Sequence, residues 1–318
     1  MINVLILLGG FVALIYGAVK LVDGASSLAS KLGIPNIVIG LTIVAFGTSA
    51  PELVVNLFAS VNNNTEMVLG NVLGSNIFNV LAILGICAIF NPLTVKKNTN
   101  WIEIPLAVLA AVAVFVVASD ILINKTSENI ISRTDGMMLL LFFTIFLAYN
   151  IIISKSGSND EEVKPKNFTY FISILYIIIG LTGLIVGGKF IVSSAVSIAQ
   201  SFGLSERVIG LTIVSIGTSL PELATSIVSV RRKNVDIAIG NVVGSNIFNI
   251  FLILGLSAFV NPIVPNANSF FDIFVSLGSC LLLFVFIFTG KGKKIERWEG
   301  IIFLLLYIAY VSILISQT

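Results

Sequence analysis

The chain is predicted to be an all-α membrane protein in which ten transmembrane helices form two inverted five-helix repeats, with helices 2 and 7 broken. Three observations predict this. Of 318 residues, 57% are hydrophobic and 11% charged, against roughly 25% charged in a soluble domain. Apolar stretches recur at lengths that suit a bilayer. Finally, GTSAPEL at 47–53 returns as GTSLPEL at 217–223, and GNVLGSNIFN at 70–79 returns as GNVVGSNIFN at 240–249, both at the same offset. That offset also relates Gly17 to Gly187, Gly40 to Gly210, and Asn91-Pro92 to Asn261-Pro262. A block of about 75 residues is therefore duplicated without a gap, and such a repeat decides the architecture.

A hydrocarbon core of about 30 Å needs about 20 apolar residues per helix. Ten such segments run near 2–22, 35–60, 67–90, 101–121, 134–154, 168–190, 205–230, 236–260, 269–289 and 297–316. The first begins without a basic region or a cleavage site and reads as a retained span, not a signal peptide. The polar stretch KSGSNDEEVKPKN at 155–167 reads as a solvated linker. It separates a first five-helix repeat at 1–154 from a second at 168–318, within one membrane domain. An odd number of helices per half turns the second half over, which is the inverted repeat of secondary transporters.

Lys and Arg orient the chain. The side that takes both termini holds four of them: Lys125, Arg133, Lys189 and Arg207. The other side holds fourteen, including Lys20, Lys31, Lys96, Lys97, Lys155, Lys164, Lys166, the run Arg231-Arg232-Lys233, and the basic residues of 291–297. A multi-pass plasma-membrane protein with outside termini and a cytoplasmic 155–167 linker is expected.

Composition narrows the function. A net charge of +2 gives no reason to expect nucleic acid as a partner, and the absence of histidine removes the usual proton relay and metal ligand. Cys87 and Cys280 fall in apolar segments and read as buried thiols, not as a disulfide or metal site. No cofactor is implied. Membrane lipids are the expected surroundings.

The residues that carry chemistry sit in the repeats. Pro51 lacks an N–H, and its ring clashes with the carbonyl of Gly47, so helix 2 should break near its middle. Pro221 and Gly217 should break helix 7 likewise. Irregular backbone at membrane depth is tolerated where it is buried in protein or lines a cavity. Freed carbonyls, the hydroxyls of Thr48, Ser49, Thr218 and Ser219, and the carboxylates of Glu52 and Glu222 make an all-oxygen set, suited to Na⁺ and Ca²⁺ rather than zinc or copper. Glu52 and Glu222 are the only carboxylates deep inside apolar segments, where an ionisable group is expensive. Asp23, Glu66, Glu103, Asp120, Asp135, Glu206, Asp236, Asp272 and Glu299 are expected near segment ends. Two carboxylates match one divalent cation, and empty they repel each other.

In the second motif, Gly70 and Gly74 form a small face for close helix approach, as do Gly240 and Gly244. Ser75 and Asn79 share a helical face, as do Ser245 and Asn249, and these four are candidate ion ligands. Asn71, Asn76, Asn241 and Asn246 are either further ligands or hydrogen-bond donors to the broken helices. Asn56 and Ser226 lie one turn beyond the two glutamates and read as packing or as an extension of the polar path. The basic runs read as topology determinants.

GTSxPE followed by GNxxGSNxFN, in two inverted copies, resembles the calcium/cation antiporter superfamily, and within it the prokaryotic sodium/calcium exchangers. The resemblance spans nearly the whole chain. It implies countertransport of Na⁺ and Ca²⁺ through clustered sites at mid-membrane. By position it makes Glu52, Glu222 and the carbonyls of Thr48 and Thr218 the Ca²⁺ ligands. Ala45 and Ser215, through their carbonyls, and Ser49, Ser219, Ser75 and Ser245 become Na⁺ ligands, with Asn79 and Asn249 completing the centre. Potassium-dependent relatives carry an aspartate at the position of Asn249, so this chain departs from them. The family's mobile helices 1 and 6 correspond here to segments rich in glycine: Gly9, Gly10, Gly17, Gly180, Gly183 and Gly187. The expected function is a Na⁺/Ca²⁺ antiporter that extrudes Ca²⁺. A Ca²⁺/H⁺ antiporter of the same fold, with protons carried on the glutamates, stays open. A cation channel fits an in-plane inverted repeat poorly, and an enzyme would need a nucleophile–base pair that the site lacks.

Overall fold

A computed structural model describes residues 2–95, 99–123, 125–155, 166–201, 215–289 and 293–316. Among these, seven helices are long and apolar enough to cross a membrane, or eight if one bent pair counts as a single span. The one two-stranded pairing among them is short and antiparallel, Leu93–Thr94 against Lys294–Ile295.

Helix α1 (Ile2–Leu32) outruns the segment expected at 2–22. Its closing stretch, DGASSLASKL, contains no proline, and its one glycine, Gly24, sits where a Cβ would meet the Ser173 carbonyl at 2.7 Å. It stops at Gly33, whose φ of +66° suits glycine, while the N–H of Ile34 closes back on the Ala29 carbonyl at 3.0 Å. Asp23 therefore lies inside a helix and not at its end, which corrects the expectation for it.

Helices α2 (Asn36–Thr48) and α3 (Ala50–Val61) meet at a 48° bend. The break falls at Ser49, with φ −84° and ψ 5°, just ahead of the proline that cannot return a hydrogen bond to Gly47. Helix α4 (Thr65–Phe90) follows, then α5 (Trp101–Val117) and α6 (Arg133–Ser154), capped by a Ser132–Asp135 box. In the second half α7 (Tyr170–Ser201) also outruns its expected end at 190. Helices α8 (Ser215–Thr218) and α9 (Leu220–Arg231) are separated at Ser219, with φ −90° and ψ 8°. The second break thus repeats the first. The expected start of this segment at 205–214 lies outside the described residues, as do most of the 155–167 linker, Lys96, Lys97, Arg207 and Lys291. Helices α10 (Val235–Val260), α11 (Ala267–Phe286) and α12 (Arg297–Ser316) complete the chain.

The two motif helices form the centre. In α4 and α10, 83% of the most apolar window is buried, against 22–39% in the other long helices. Each contains a π-helical stretch, Phe78–Leu84 and Phe248–Leu254, at equivalent positions of the two repeats. Such widened turns concentrate at functional sites, and the sequence carries no breaker to announce them. Around the centre, α5 packs on α11, α6 on the end of α10, and α12 on the end of α4. Two carboxylates outside the centre, the buried Glu103 and the half-buried Asp272, accept from tyrosines of neighbouring helices: Tyr149 donates to Glu103 and Tyr310 to Asp272, each at 2.7 Å. Both cysteines are buried and free.

Helices α1 and α7 meet in a second apolar cluster, with Leu14, Ala18 and Leu21 against Ile177, Leu184 and Ile191, which Ile39 and Val44 of α2 and Ile237 of α10 also join. Glycines bring the two backbones together. A Cβ on Gly17 would meet the Gly180 carbonyl at 2.7 Å, and one on Gly187 would meet that of Gly10 at 2.7 Å, whereas Gly9 faces open space. Among the second-motif glycines, Gly240 and Gly244 pack against the backbone of the α2 region from Ile37 to Leu41. The segment that would answer Gly70 by the repeat lies outside the described residues.

Overpacking this contact is expected to cost about 1–3 kcal/mol. Gly17→Val should lower the thermal unfolding midpoint of the detergent-solubilised protein, while Gly9→Val should leave it unchanged. Equal midpoints would show that the α1–α7 contact is not tight.

Candidate cation site

The two helix breaks face each other across the centre of the molecule. Because each lies just before a proline-led helix, Glu52 falls in the first turn of α3 and Glu222 in the first turn of α9. Both are 1% exposed. A carboxylate in a helix's first turn faces the positive end of the helix dipole, which offsets part of the cost of burial.

Hydrogen bonds then cross between the repeats in pairs. Ser49 donates to Glu222 Oε1 at 2.9 Å, and Ser219 donates to Glu52 Oε1 at 3.2 Å. Thr48 donates to Asn241 Oδ1 at 3.0 Å, and Thr218 to Asn71 Oδ1 at 3.4 Å. Asn79 donates to Asn246 Oδ1 at 3.0 Å, and Asn249 to Asn76 Oδ1 at 2.9 Å. Asn76 and Asn246 each donate to the other's backbone carbonyl, at 3.2 and 3.3 Å. When residue i bonds j and its repeat mate bonds j's mate, the two halves meet as an isologous pair. Ser245 adds a one-sided bond to Glu222 Oε1 at 3.4 Å.

What these bonds leave unused defines the chemistry. Glu52 Oε2, Glu222 Oε2, Asn79 Oδ1, Asn249 Oδ1 and Ser75 Oγ are buried without a hydrogen-bond partner. All five are oxygens; the one second-motif donor left over among the described residues is Asn71 Nδ2. Every amide N–H₂ of the central asparagine quartet points to another asparagine, which turns the free oxygens of Asn79 and Asn249 into acceptors. No ion pair is found for either glutamate among the described residues. Buried polar groups ordinarily find partners, and oxygens of these kinds are the ligand type that hard cations take.

Of the sequence-predicted set, hydrogen bonds join Ser49 and Ser245 to Glu222, Ser219 to Glu52, and Asn79 and Asn249 to asparagines of the opposite repeat. Thr48, Ser49, Ser75, Asn79, Ser219, Ser245 and Asn249 are all buried, Thr218 is half-buried or less exposed, and Ala45 is buried at the start of the turn preceding the first break. Ser215 opens α8, one turn ahead of Thr218. The second-motif asparagines divide. Asn241 donates to the Glu222 carbonyl at 3.3 Å and to Ser226 at 3.1 Å, so it braces the broken helix. Asn76 and Asn246 bond one another across the repeats, which neither sequence alternative contained. Asn56 donates to the Glu52 carbonyl at 2.7 Å and supports that turn. Thr225, fully buried with a free hydroxyl on the α9 turn after Glu222, escaped the sequence reading. It breaks the repeat, since the offset pairs it with Val55.

Fold and site together define a multi-pass membrane protein built around an oxygen-lined centre with two carboxylates. The sequence pattern of the sodium/calcium exchanger protein family matches residues 2–152 and 172–316, and the chain belongs to that family of ion antiporters. It is 34% identical over 346 residues to the sodium/calcium exchanger MaX1 of Methanosarcina acetivorans, covering 98% of each. It is 37% identical over 266 residues to the inner membrane protein YrbG of Escherichia coli, covering 81% of this chain and 79% of the relative. Among solved structures, the sodium-calcium exchanger NCX_Mj soaked with 2.5 mM Na⁺ and 0.1 mM Ca²⁺ matches with a TM-score of 0.83 at 34% identity, covering 98% of both chains.

The asparagine quartet should be structural as well as chemical. Asn246→Leu strips partners from Asn79 and Asn76, and each orphaned group costs about 1–3 kcal/mol. A clear fall in the thermal midpoint is expected, against little change for Asn62→Ala, whose bond to Phe58 is exposed. Equal midpoints would contradict the quartet.

Proposed function

We propose that the protein exchanges Na⁺ for Ca²⁺ across the plasma membrane by alternating access, and that it extrudes Ca²⁺. The observation that carries this is the pairing of Glu52 and Glu222. They come from opposite repeats, each accepts from a serine of the other repeat, and each keeps one unpartnered oxygen in an apolar interior. Two carboxylates balance one divalent ion. The same oxygens with the serine hydroxyls serve monovalent Na⁺, so the two cargoes compete for one set of ligands and loading one expels the other.

In this reading Ca²⁺ is held by Glu52, Glu222 and the carbonyls of Thr48 and Thr218. Na⁺ is held by Ser49, Ser219, Ser75, Ser245 and the carbonyls of Ala45 and Ser215, with Asn79 and Asn249 at the centre. The family match and the free oxygens of the site support the set. The ten-helix inverted arrangement, with repeats at 1–154 and 168–318, outside termini and a cytoplasmic linker, is supported by the repeat offset, the second break at Ser219 and the Lys/Arg bias. The close glycine contacts between α1 and α7 support a pair that moves as one unit against the remaining helices. The match to exchangers that handle Na⁺ favours Na⁺ over H⁺ as the driving ion.

The test is ⁴⁵Ca²⁺ uptake into proteoliposomes under imposed Na⁺, H⁺ or K⁺ gradients. Uptake driven by Na⁺ is expected, and uptake driven only by H⁺ would overturn the coupling. Glu52→Gln and Glu222→Gln keep the volume but leave a divalent ion with one carboxylate. Each should lower Na⁺-driven flux by roughly 100-fold or more, about 3 kcal/mol, in protein that still elutes as a folded peak. Near-normal flux in either variant would refute the shared site.

Transport should not require potassium. Asn79 and Asn249 are neutral, and a large monovalent ion beside Ca²⁺ needs a further acid to hold it. Flux should be equal with K⁺ replaced by choline, and Asn249→Asp should alter monovalent-ion dependence. Collapse of wild-type flux without K⁺ would contradict this use of the asparagine pair.

A further inference from the structure

The C-terminal third of α1 is fastened in a way its repeat mate is not. Asp23 is 7% exposed and sits between two cations. Lys166, just ahead of α7, reaches its Oδ2 at 3.1 Å, and Arg232, in the turn between α9 and α10, pairs with its Oδ1. One turn on, Ser27 accepts from the Phe168 N–H at 3.1 Å and from the Ser173 hydroxyl at 3.0 Å. Asn234, close to Arg232, donates to Ser26 at 2.9 Å. A single stretch of α1 is thus joined by charge to the start of α7 on one side and to the α9–α10 turn on the other.

At the equivalent positions of the other repeat the fastening is missing. Asp23 becomes Ser193, which donates to the Phe190 carbonyl of its own helix at 3.2 Å. Arg232 becomes Asn62, which donates to the Phe58 carbonyl of its own turn at 2.8 Å. Asn234 becomes Asn64, whose side chain caps the Met67 N–H of α4. The centre of the molecule keeps its two-fold pairing, yet this corner breaks it among the described residues: the carboxylate of Asp23 and the guanidinium of Arg232 are replaced by Ser193 and Asn62. A two-state exchanger with pseudo-symmetric halves has two conformers of similar energy, and an asymmetric ion pair is a means of preferring one. α1 also carries the glycine contact to α7, so freeing α1 from the α9–α10 turn frees the pair.

We propose that Asp23, Arg232 and Lys166 form a one-sided ionic clasp that holds α1 against the α9–α10 turn and biases the protein toward the conformer closed at that face. This rests on the alternating-access reading. It adds the residues that set the balance between the two states, and it assigns the Arg231-Arg232-Lys233 run a task beyond orienting the chain.

The experiment reads the two faces separately. Ser229 on α9 and Ala59 on α3 are buried and occupy equivalent positions of the two repeats, each between its glutamate and its end of the molecule. Single-cysteine variants Ser229→Cys and Ala59→Cys, in a Cys87→Ala/Cys280→Ala background, are placed in nanodiscs, where both faces meet solvent. Their labelling by a membrane-impermeant maleimide is timed. With Asp23→Asn, labelling at 229 should rise on the order of fivefold, the scale of a modest coupling energy, and labelling at 59 should fall. Arg232→Gln should act in the same direction and serves as the second variant if Asp23→Asn does not fold. Asp23→Arg combined with Arg232→Asp should return both rates toward wild type. Unchanged rates at both positions would overturn the clasp, and so would a rise at both, which is the signature of general loosening. Loss of Na⁺-driven Ca²⁺ flux in wild type would refute the exchange reading, whereas normal flux with flat labelling would refute the clasp alone.

Discussion

The constraint on which the rest of the structure depends is the burial of two carboxylates in an apolar interior without a cationic side chain to pair them among the described residues. An ionised group at that depth is costly, and two of like sign repel. The architecture meets this cost with dipoles and hydroxyls. Each glutamate is set in the first turn of a helix that starts at a break, and each accepts a hydrogen bond from a serine of the opposite repeat. The proline shortly after each break frees backbone and gives the glutamate its place.

Reciprocity follows from the same constraint. A site made by two equivalent half-sites needs the halves to meet in register, and the asparagine quartet holds that register. Asn76 and Asn246 use their amides on each other's backbone, and Asn79 and Asn249 use theirs on the opposite side-chain carbonyls. The quartet's amide donors are consumed at the interface, and the side-chain oxygens of Asn79 and Asn249 are left without a hydrogen-bond partner. Departures from this symmetry, such as Thr225 and the Asp23 corner, stand out against it.

Much of this was legible in the sequence because the relevant signals are local or repeated. The constant offset between the two motif pairs showed the duplication, Pro51 and Pro221 announced the breaks, and the isolation of Glu52 and Glu222 among apolar residues marked the site. Other features were hidden because they depend on tertiary contact. The mutual pairing of Asn76 with Asn246 needs the angle at which α4 crosses α10. The π-helical turns carry no breaker residue. The full length of α1 was hidden because polar residues from Asp23 to Lys31 resemble a loop until Arg232, Asn234 and Phe168 supply their partners.

The central claim is that the two repeats build one divalent site and not one each. Equilibrium ⁴⁵Ca²⁺ binding to the purified wild-type protein, titrated with Na⁺, tests it most directly. The account predicts one Ca²⁺ per chain, displaced by Na⁺ with a Hill coefficient above one, since more than one Na⁺ must enter to free the shared carboxylates. Two independent Ca²⁺ per chain, or Ca²⁺ binding indifferent to Na⁺, would contradict it.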